Sequence, residues 1–469
     1  MAKVLIASIG RGNPAAKNYA YSDAAYCLAD APGGAVRETP LVAAALKEIY
    51  NIDEIILVGT AGSSWGPLYD YIHSPDNKYF PRHGDYDENY HLDLLDIYDK
   101  SGGLETRLTV AETQKRLARL KDTLGDFCRD IVVLEYGVTA DEQLSNLTIL
   151  NRLATSLKDG DVIYFDISHS FRSLPFYELL AVNLAKSVSR RDIRIEMVSY
   201  AMFEASGLYA GKTPIADMTQ LIELLDWTRA IDEFNRKGKF DLLQELLKSE
   251  NKIGQYIRGK MNRPLRQAFS RLVETLSANN HGDLKGMIAM VGTALQNFNQ
   301  DESGSESGSD ASNPVVLKFI YDIMTRVYED FKPYKDDQIA LLLASVEWKI
   351  KKGQDVLGAL LLMDASESMC LDVLGKKIDD DNEHYLVHDK MRLARSGDPD
   401  VKEFLKGYNE NRRMRNALAH VTSGKDNGLS PRLKSAAEYF KRGYLERFAP
   451  GKPGRELLRE ALEQALSDK

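Results

Sequence analysis

Residues 161–175 read DVIYFDISHSFRSLP, and this stretch decides how the first half of the chain is interpreted. Asp161–Ile167 is an apolar run of strand length, and the proline that ends the stretch suits the first turn of a helix predicted over Pro175–Val188. Hydroxyl, imidazole and guanidinium groups lie between strand and helix, and at a helix N-terminus they form a site for an anionic ligand. A plain helix cap needs only one serine and does not account for His169 and Arg172 together.

The same alternation of strand and helix runs through the first half of the chain. It predicts an α/β domain with a parallel, doubly wound, Rossmann-like sheet, in which ligands bind at the carboxyl ends of the strands. The strands are predicted at Val4–Ile9, Glu54–Val58, Asp130–Glu135, Asp161–Ile167 and Ile193–Met202, and the helices at Thr39–Tyr50, Ala111–Leu124, Asp141–Leu157 and Pro175–Val188.

Two further strands end in turns of small residues. Gly10-Arg11-Gly12 follows the first strand, and the turn GTAGSSWG, residues 59–66, follows the second. Such turns let backbone amides approach a phosphate or ribose, although ordinary tight turns between strand and helix account for them equally well. A nicotinamide fingerprint would need a third glycine at position 15, where alanine stands, so a nucleotide-dependent oxidoreductase is disfavoured.

From Leu221 onward the pattern is helical throughout, which predicts an all-α second half and domains at residues 1–222 and 223–469. The segment Asp301–Asn313 reads DESGSESGSDASN, and its acidic, serine- and glycine-rich composition predicts a flexible insertion. A phosphorylated or partner-binding segment is the alternative.

Near the end of the chain, residues 411–420 read NRRMRNALAH. On a helix, Asn416 and His420 share a face with Arg413, whereas Arg415 lies about 140° from His420 and needs a helix start, a bend or a partner chain to meet it. Arginine holds a phosphate and histidine moves a proton near neutral pH, so the pair suits attack of a ribose 2′-hydroxyl on the adjacent phosphate without a metal. The alternative is a basic surface helix with one polar histidine.

Composition limits the remaining possibilities. The 469 residues carry a formal net charge of −8, which excludes a uniformly basic nucleic-acid coat but not a local basic cleft. The basic run Lys390–Arg415 either guides an RNA backbone or is a solvated helical face. Three widely spaced cysteines form no zinc pattern and no disulfide framework, which fits a reducing cytoplasm, and no apolar run is long enough for a membrane span. No metal site is predicted, and His384 and His388 are interpreted as part of a polar loop or helix edge.

Four pieces, spread over nearly the whole chain, carry a resemblance to a known family. They are Gly10-Arg11-Gly12, Gly59–Trp65, Asp166–Pro175 and Arg415–His420. Their order resembles that of the CRISPR-associated CARF–HEPN ribonucleases, which accompany type III interference complexes. The resemblance implies an N-terminal CARF sensor that dimerises and binds a cyclic oligoadenylate across the two-fold axis. It also implies a C-terminal helical HEPN dimer with one composite, metal-independent RNase site.

The resemblance assigns roles to individual residues of this chain. The catalytic residues would be Arg415, Asn416 and His420, with Arg413 as an alternative phosphate-binding arginine. The activator-binding residues would be Gly10, Arg11, Gly59, Thr60, Ser63, His169, Ser170 and Arg172. The expected protein is a cytoplasmic homodimer that cuts single-stranded RNA and takes no cofactor besides its allosteric activator, with cyclic tetra-adenylate favoured over cyclic hexa-adenylate. A non-catalytic nucleotide-sensing adaptor or regulator, whose helical half only forms dimers, is the alternative.

Overall fold

The computed structural model describes residues 1–12, 22–103, 106–169, 174–188, 192–277, 283–304, 315–378, 381–419 and 429–467. The chain divides into two compact units, Met1–Ile222 and Glu223–Lys469. No helix among the described residues is both long and apolar enough to cross a membrane.

The first unit is built on one sheet that contains eight strands within the described residues. The strands are β1 (Lys3–Ile9), β2 (Ala24–Leu28), β3 (Arg37–Thr39), β4 (Glu54–Gly59), β5 (Cys128–Val133), β6 (Val162–Asp166), β7 (Arg194–Ala201) and β8 (Thr213–Asp217). Their spatial order is β3-β2-β8-β7-β6-β1-β4-β5. Strand β1 is central and pairs in parallel with both β4 and β6, so that Ala7 lies between Leu57 and Asp166.

The five predicted strands form the parallel part of this sheet, which confirms the Rossmann-like fold. The sheet is not parallel throughout, however, because β8 runs antiparallel to β7 and β3 antiparallel to β2. The predicted start of the first helix at Thr39 is wrong: Thr39 ends β3 and pairs with Ala24. Strands β3 and β8 are short and lack long apolar runs, so the sequence did not indicate them.

Helices cover both faces of the sheet, which explains why its central strands β1, β4 and β6 are mainly apolar. They are α1 (Val42–Tyr50), α2 (Trp65–His73), α3 (Glu88–Lys100), α4 (Val110–Arg116), α5 (Ala118–Leu124), α6 (Ala140–Ser156) and α7 (Leu174–Val188). Leu5 and Ala7 of β1 belong to one buried cluster, and Val4 and Ile6 to the other, as the two-residue period of a strand requires. Helices α2 and α3 were not predicted from the sequence.

Helices are the only regular secondary structure in the described residues of the second unit, as predicted. The helices are α8 (Thr219–Lys237, which begins in the first unit), α9 (Asp241–Lys248), α10 (Lys252–Lys260), α11 (Arg263–Ser277), α12 (Leu284–Gly304), α13 (Val315–Phe331), α14 (Gln338–Lys351), α15 (Asp355–Val373), α16 (Asp381–Lys390), α17 (Pro399–Ala419), α18 (Leu429–Gly443) and α19 (Gly454–Ser467). Helix α12 takes in the first four residues of the acidic segment Asp301–Asn313, and the rest of that segment lies outside the described residues. Helix α17 is continuous where two separate helices were predicted.

Candidate functional site: the strand-end edge of the first unit

The carboxyl ends of β1, β4 and β6 meet at one edge of the sheet, because β1 lies between the other two. Gly10 follows β1 directly and packs against the backbone of His169. A Cβ atom built on Gly10 would lie 2.8 Å from the His169 carbonyl carbon and closer still to its oxygen, so only glycine fits there. The Gly10 carbonyl also accepts a hydrogen bond from the Ser64 amide at 2.9 Å. The structure therefore brings Gly10, His169 and the turn after β4 together.

The hydroxyls of the turn after β4 are used inside the turn itself. The Ser63 hydroxyl accepts from the Thr60 amide at 2.9 Å and donates to the Ile9 carbonyl. The Ser64 hydroxyl accepts from the Gly12 amide at 2.6 Å, which ties the turn to the end of β1. Thr60 and Ser63 are fully buried. Their side chains shape the edge, and a ligand there would meet backbone and the more exposed side chains.

Gly59 and Trp65 fix the conformation of this turn. The Trp65 indole N–H donates to the Thr60 carbonyl at 2.9 Å, and its ring leaves no room for a side chain on Gly59, where a Cβ would lie 2.5 Å from the ring. A side chain at position 59 would therefore clash with the Trp65 ring, which gives this glycine a steric role in the turn.

Arg11 is exposed at the same edge and is held by an aromatic side chain that the sequence analysis missed. Its Nε donates a hydrogen bond to the Tyr98 hydroxyl, and its guanidinium carbon lies 5.3 Å from the centre of the Tyr98 ring. Tyr98 belongs to α3, a helix that the sequence analysis did not predict, and this contact was therefore not expected. Arg11 can offer a charge-assisted hydrogen bond to a phosphate.

The segment after β6 is anchored by Ser168. Its hydroxyl donates to Asp166 at 2.5 Å and accepts from the Ala201 amide at 2.8 Å, so it joins the ends of β6 and β7. The next residue, His169, has its ring centre 5.7 Å from that of Phe203, and burial lowers the pKa of this imidazole to about 4. His169 is therefore neutral near pH 7 and acts through hydrogen bonding and stacking. Ser170 and Arg172 lie outside the described residues.

A buried carboxyl pair lies beneath this edge and was not predicted. Burial raises the pKa of Asp166 to about 6 and that of Glu178 to about 8, and the charge of Asp166 further disfavours ionisation of Glu178. The Ser8 hydroxyl donates to Glu178. Since Ser8 is part of β1 and Glu178 of α7, the neutral Glu178 carboxyl helps to join the central strand to a covering helix.

Candidate functional site: helix α17 and its surroundings

Helix α17 carries the proposed catalytic residues that the structure describes. Arg415 and Asn416 are both partly buried, and the Arg415 guanidinium lies 3.4 Å from the Asn416 amide oxygen. Arg413 is exposed. His420 lies outside the described residues, so its position relative to Arg415 stays a prediction.

A cavity of about 440 Å³ lies between α17 and α18, on the turn that precedes Arg415. Its volume is within the range of small-molecule sites, roughly 300–1,000 Å³. The polar and aromatic residues that line it include Glu403, Lys406, Glu410, Asn411, Arg432 and Tyr439. Lysine, arginine and tyrosine side chains suit contacts with the phosphate and base of a single strand, whereas the two glutamates oppose an anion.

His384 and His388 belong to α16 and not to a loop. Both approach the buried Glu367 of α15: His388 Nδ1 lies 2.5 Å from Oε1, and His384 Nδ1 lies 3.5 Å from Oε2. The hydrogen bond with Glu367 raises the pKa of His384. The Tyr408 hydroxyl of α17 also donates to Oε1 of Glu367, at 3.3 Å. Sequence reasoning missed Glu367 because it is remote in sequence, although a glutamate in the apolar stretch of α15 was a signal.

Comparisons with known proteins show which family the first unit resembles. Residues 4–204 match the family described as CRISPR system endoribonuclease Csx1, CARF domain. The chain is 27% identical over 297 residues to CRISPR-associated protein MJ1674 of Methanocaldococcus jannaschii, a match that covers 59% of this chain and 44% of that protein. It therefore spans less than half the length of this relative.

A solved structure, Enterococcus italicus Csm6 bound to cyclic hexa-2′-fluoro-hexa-dAMP, aligns over 99% of both chains at 10% identity. The TM-score of this alignment is 0.26, which is too low to carry an argument. The assignment rests on the match of the N-terminal sequence and on the sheet that this sequence forms. Over residues 4–204 the first unit is therefore similar to CARF domains of the Csx1 type, as the resemblance implied.

Proposed function

We propose that this chain is a cyclic-oligoadenylate-activated, metal-independent endoribonuclease of type III CRISPR defence that cuts single-stranded RNA as a cytoplasmic homodimer. The observation that carries the proposal is the strand-end edge of the CARF domain. There, the close approach of Gly10 and His169 leaves backbone and the exposed Arg11 available to an anionic ligand. The three cysteines are free and buried, which agrees with a reducing compartment.

The activator is a ring of adenylates, whose phosphates need cationic or amide donors and whose bases need stacking partners. Arg11 offers the first kind of group, and Phe203 beside His169 offers the second. Arg172 is proposed as a further phosphate ligand. Cyclic tetra-adenylate remains favoured over cyclic hexa-adenylate.

The second unit would cut RNA through Arg415, Asn416 and His420. His420 takes the proton from a ribose 2′-hydroxyl as its oxygen bonds to the adjacent phosphorus, and a proton is delivered to the 5′-oxygen as the P–O5′ bond breaks. Arg415 stabilises the charge on the phosphate, and Asn416, at 3.4 Å from it, orients the guanidinium. The products would carry 2′,3′-cyclic phosphate and 5′-hydroxyl ends.

The continuity of α17 supports a site composed from two chains. On an ideal helix Arg415 and His420 would point about 140° apart, and meeting would require a helix start, a bend or a partner. The helix has already run for four turns before Arg415 and continues straight through to Ala419 within the described residues. Since no helix start lies near Arg415, we propose that a partner chain joins an arginine to a histidine.

The test incubates labelled single-stranded RNA with the purified chain, with and without each cyclic oligoadenylate, in the presence of excess chelator. Activated cleavage that yields 2′,3′-cyclic phosphate ends is expected for wild type and for His83→Ala, which alters an exposed histidine of the CARF domain. His420→Ala should bind the activator and not cleave. Activator binding without cleavage by the wild type would instead identify a non-catalytic sensor.

A further inference from the structure

A cluster of potential metal ligands lies in the second unit, apart from the residues proposed for RNA cleavage. Asp364 and Glu367 of α15 and His384 of α16 each direct one ligand atom into a common space, and these atoms all lie within 4.8 Å of one another. We propose that these three side chains hold a divalent transition-metal ion, of which Zn²⁺ fits the donor set best. One imidazole nitrogen and two carboxylate oxygens are ligand types that zinc accepts, with water in the fourth position.

The hydrogen bonds of His384 show which ring nitrogen carries a proton and which can bind a metal. Its Nε2 lies 2.7 Å from the backbone carbonyl of Ile378, which can only accept, so Nε2 carries a proton. In the neutral ring, Nδ1 then has a lone pair, and this lone pair faces carboxylate oxygens of Asp364 and Glu367 at 3.7 and 3.5 Å. A cation placed between these three electron-rich atoms would be stabilised by all of them. A metal-binding histidine characteristically donates its other N–H to a carbonyl in this way.

Hydrogen bonds also orient the Glu367 carboxylate so that one of its oxygens faces His384. Its Oε1 receives hydrogen bonds from His388 Nδ1 at 2.5 Å and from the Tyr408 hydroxyl at 3.3 Å, which leaves Oε2 toward His384. In a tetrahedral zinc site with bonds of about 2.0–2.2 Å, neighbouring ligand atoms lie about 3.3–3.6 Å apart. The distances from His384 Nδ1 to the two carboxylates are at or slightly above this range.

The position of the cluster indicates a structural role for the ion. Glu367 is buried within α15, whose neighbouring Ser366 lies 3.5 Å from the Asn411 amide on α17. The ion would fasten α16 to α15, and Tyr408 would extend the connection to α17, the helix that carries Arg415. Its ligands are none of the residues proposed for catalysis, so the inference does not depend on the proposed function.

The test measures metal content and thermal unfolding of tag-free, full-length protein. The chain is stripped with chelator, dialysed and titrated with Zn²⁺, and bound zinc is counted by inductively coupled plasma mass spectrometry. We expect about one zinc per chain and a melting temperature that rises with zinc. His384→Ala and Asp364→Asn should each weaken zinc binding at least tenfold. His388→Ala removes only a hydrogen bond to the Glu367 carboxylate, so it should weaken zinc binding by at most about 100-fold. The Asp364 side chain is 49% exposed, so its substitution keeps the fold.

The matched control is His83→Ala, which removes an exposed histidine from the other unit and should bind zinc as the wild type does. Failure of the wild type to bind zinc, or equal binding by Asp364→Asn and wild type, would overturn the proposal and leave a protonated His384 as the cation. Neither outcome bears on RNA cleavage, which is not a readout of this experiment.

Discussion

Replacing Gly10 by alanine tests the close approach on which the strand-end edge is built. The added Cβ would lie 2.8 Å from the carbonyl carbon of His169 and closer to its oxygen, and both of these atoms belong to the backbone. A flexible side chain could turn away, whereas here the end of β1 or the segment after β6 must move. Overpacking typically costs about 1–3 kcal/mol and occasionally more, so a backbone clash of this kind should destabilise the first unit by about 3 kcal/mol.

A matched control exists in the same unit. Gly33 has no neighbouring atom within 4 Å of a built Cβ, and its backbone does not require glycine. Gly33→Ala should therefore leave stability unchanged to within about 0.5 kcal/mol. For a unit of this size, the Gly10→Ala loss corresponds to a fall in melting temperature of roughly 6–12 °C.

The assay is thermal unfolding of the full-length protein, with hydrogen–deuterium exchange to locate the change. Faster exchange is expected in residues 1–12 and 161–169 of Gly10→Ala, together with weaker binding of cyclic oligoadenylate. If Gly10→Ala melts and exchanges as Gly33→Ala does, the contact between Gly10 and His169 does not hold the edge together, and the geometric basis of the proposed activator site fails.

Three further predictions concern the buried carboxyl, the catalytic residues and the activator site. Burial raises the pKa of Glu178 from 4.5 to about 8, so the folded chain keeps a proton that the unfolded chain loses, and stability falls as pH rises across this window. Glu178 lowers the free energy of unfolding by up to about 1.4 kcal/mol for each pH unit, and below pH 6 Asp166 adds a further decrease of the same sign. Glu178→Gln should flatten the slope in urea unfolding at pH 5 to 8, and an unchanged slope would show that another group titrates. Arg415→Ala should abolish RNA cleavage and Arg413→Ala reduce it less, because Arg413 is exposed; the reverse ranking in cleavage rate would move the phosphate role to Arg413. Arg172→Ala should raise the activator concentration for half-maximal cleavage at least tenfold, equivalent to roughly 1.4 kcal/mol of binding, and identical activation curves would remove it from the sensor site.

The parallel core of the sheet was predictable because its strands are buried on both faces. Segments such as Val4–Ile9 are then continuous apolar runs between turns, which the sequence displays directly. Strands β3 and β8 were not predictable because they lack such runs. Arg37–Thr39 is three residues long, and Thr213–Asp217 contains a proline, so neither has the length or composition of an isolated strand signal. Their position depends on pairing with neighbours that lie far away in the sequence.

The candidate site was predictable in composition but not in arrangement. The residues at strand ends could be found from turns and helix starts, yet the contact between Gly10 and His169 depends on β1 lying between β4 and β6. The hydrogen-bond partners of a buried hydroxyl are equally unpredictable from the sequence. Ser63 bonds to the backbone of its own turn and of β1, which no local pattern reveals. The cluster of Glu367 and His384 was missed because its residues are brought together only by the packing of α15 on α16.

The buried hydroxyls also determine where discrimination between activators can arise at the strand-end edge. Ser63 and Ser168 have their hydrogen bonds satisfied by the protein, so the turns that contain them are already ordered and change little on binding. An activator can stimulate cleavage only through a difference in affinity between resting and competent dimers. Groups that are the same in both states contribute equally to the two affinities and so supply none of that difference. In the proposed mechanism, the selective part of the binding free energy therefore comes from side chains such as Arg11 and Arg172, which would engage a phosphate in one dimer arrangement and not in the other.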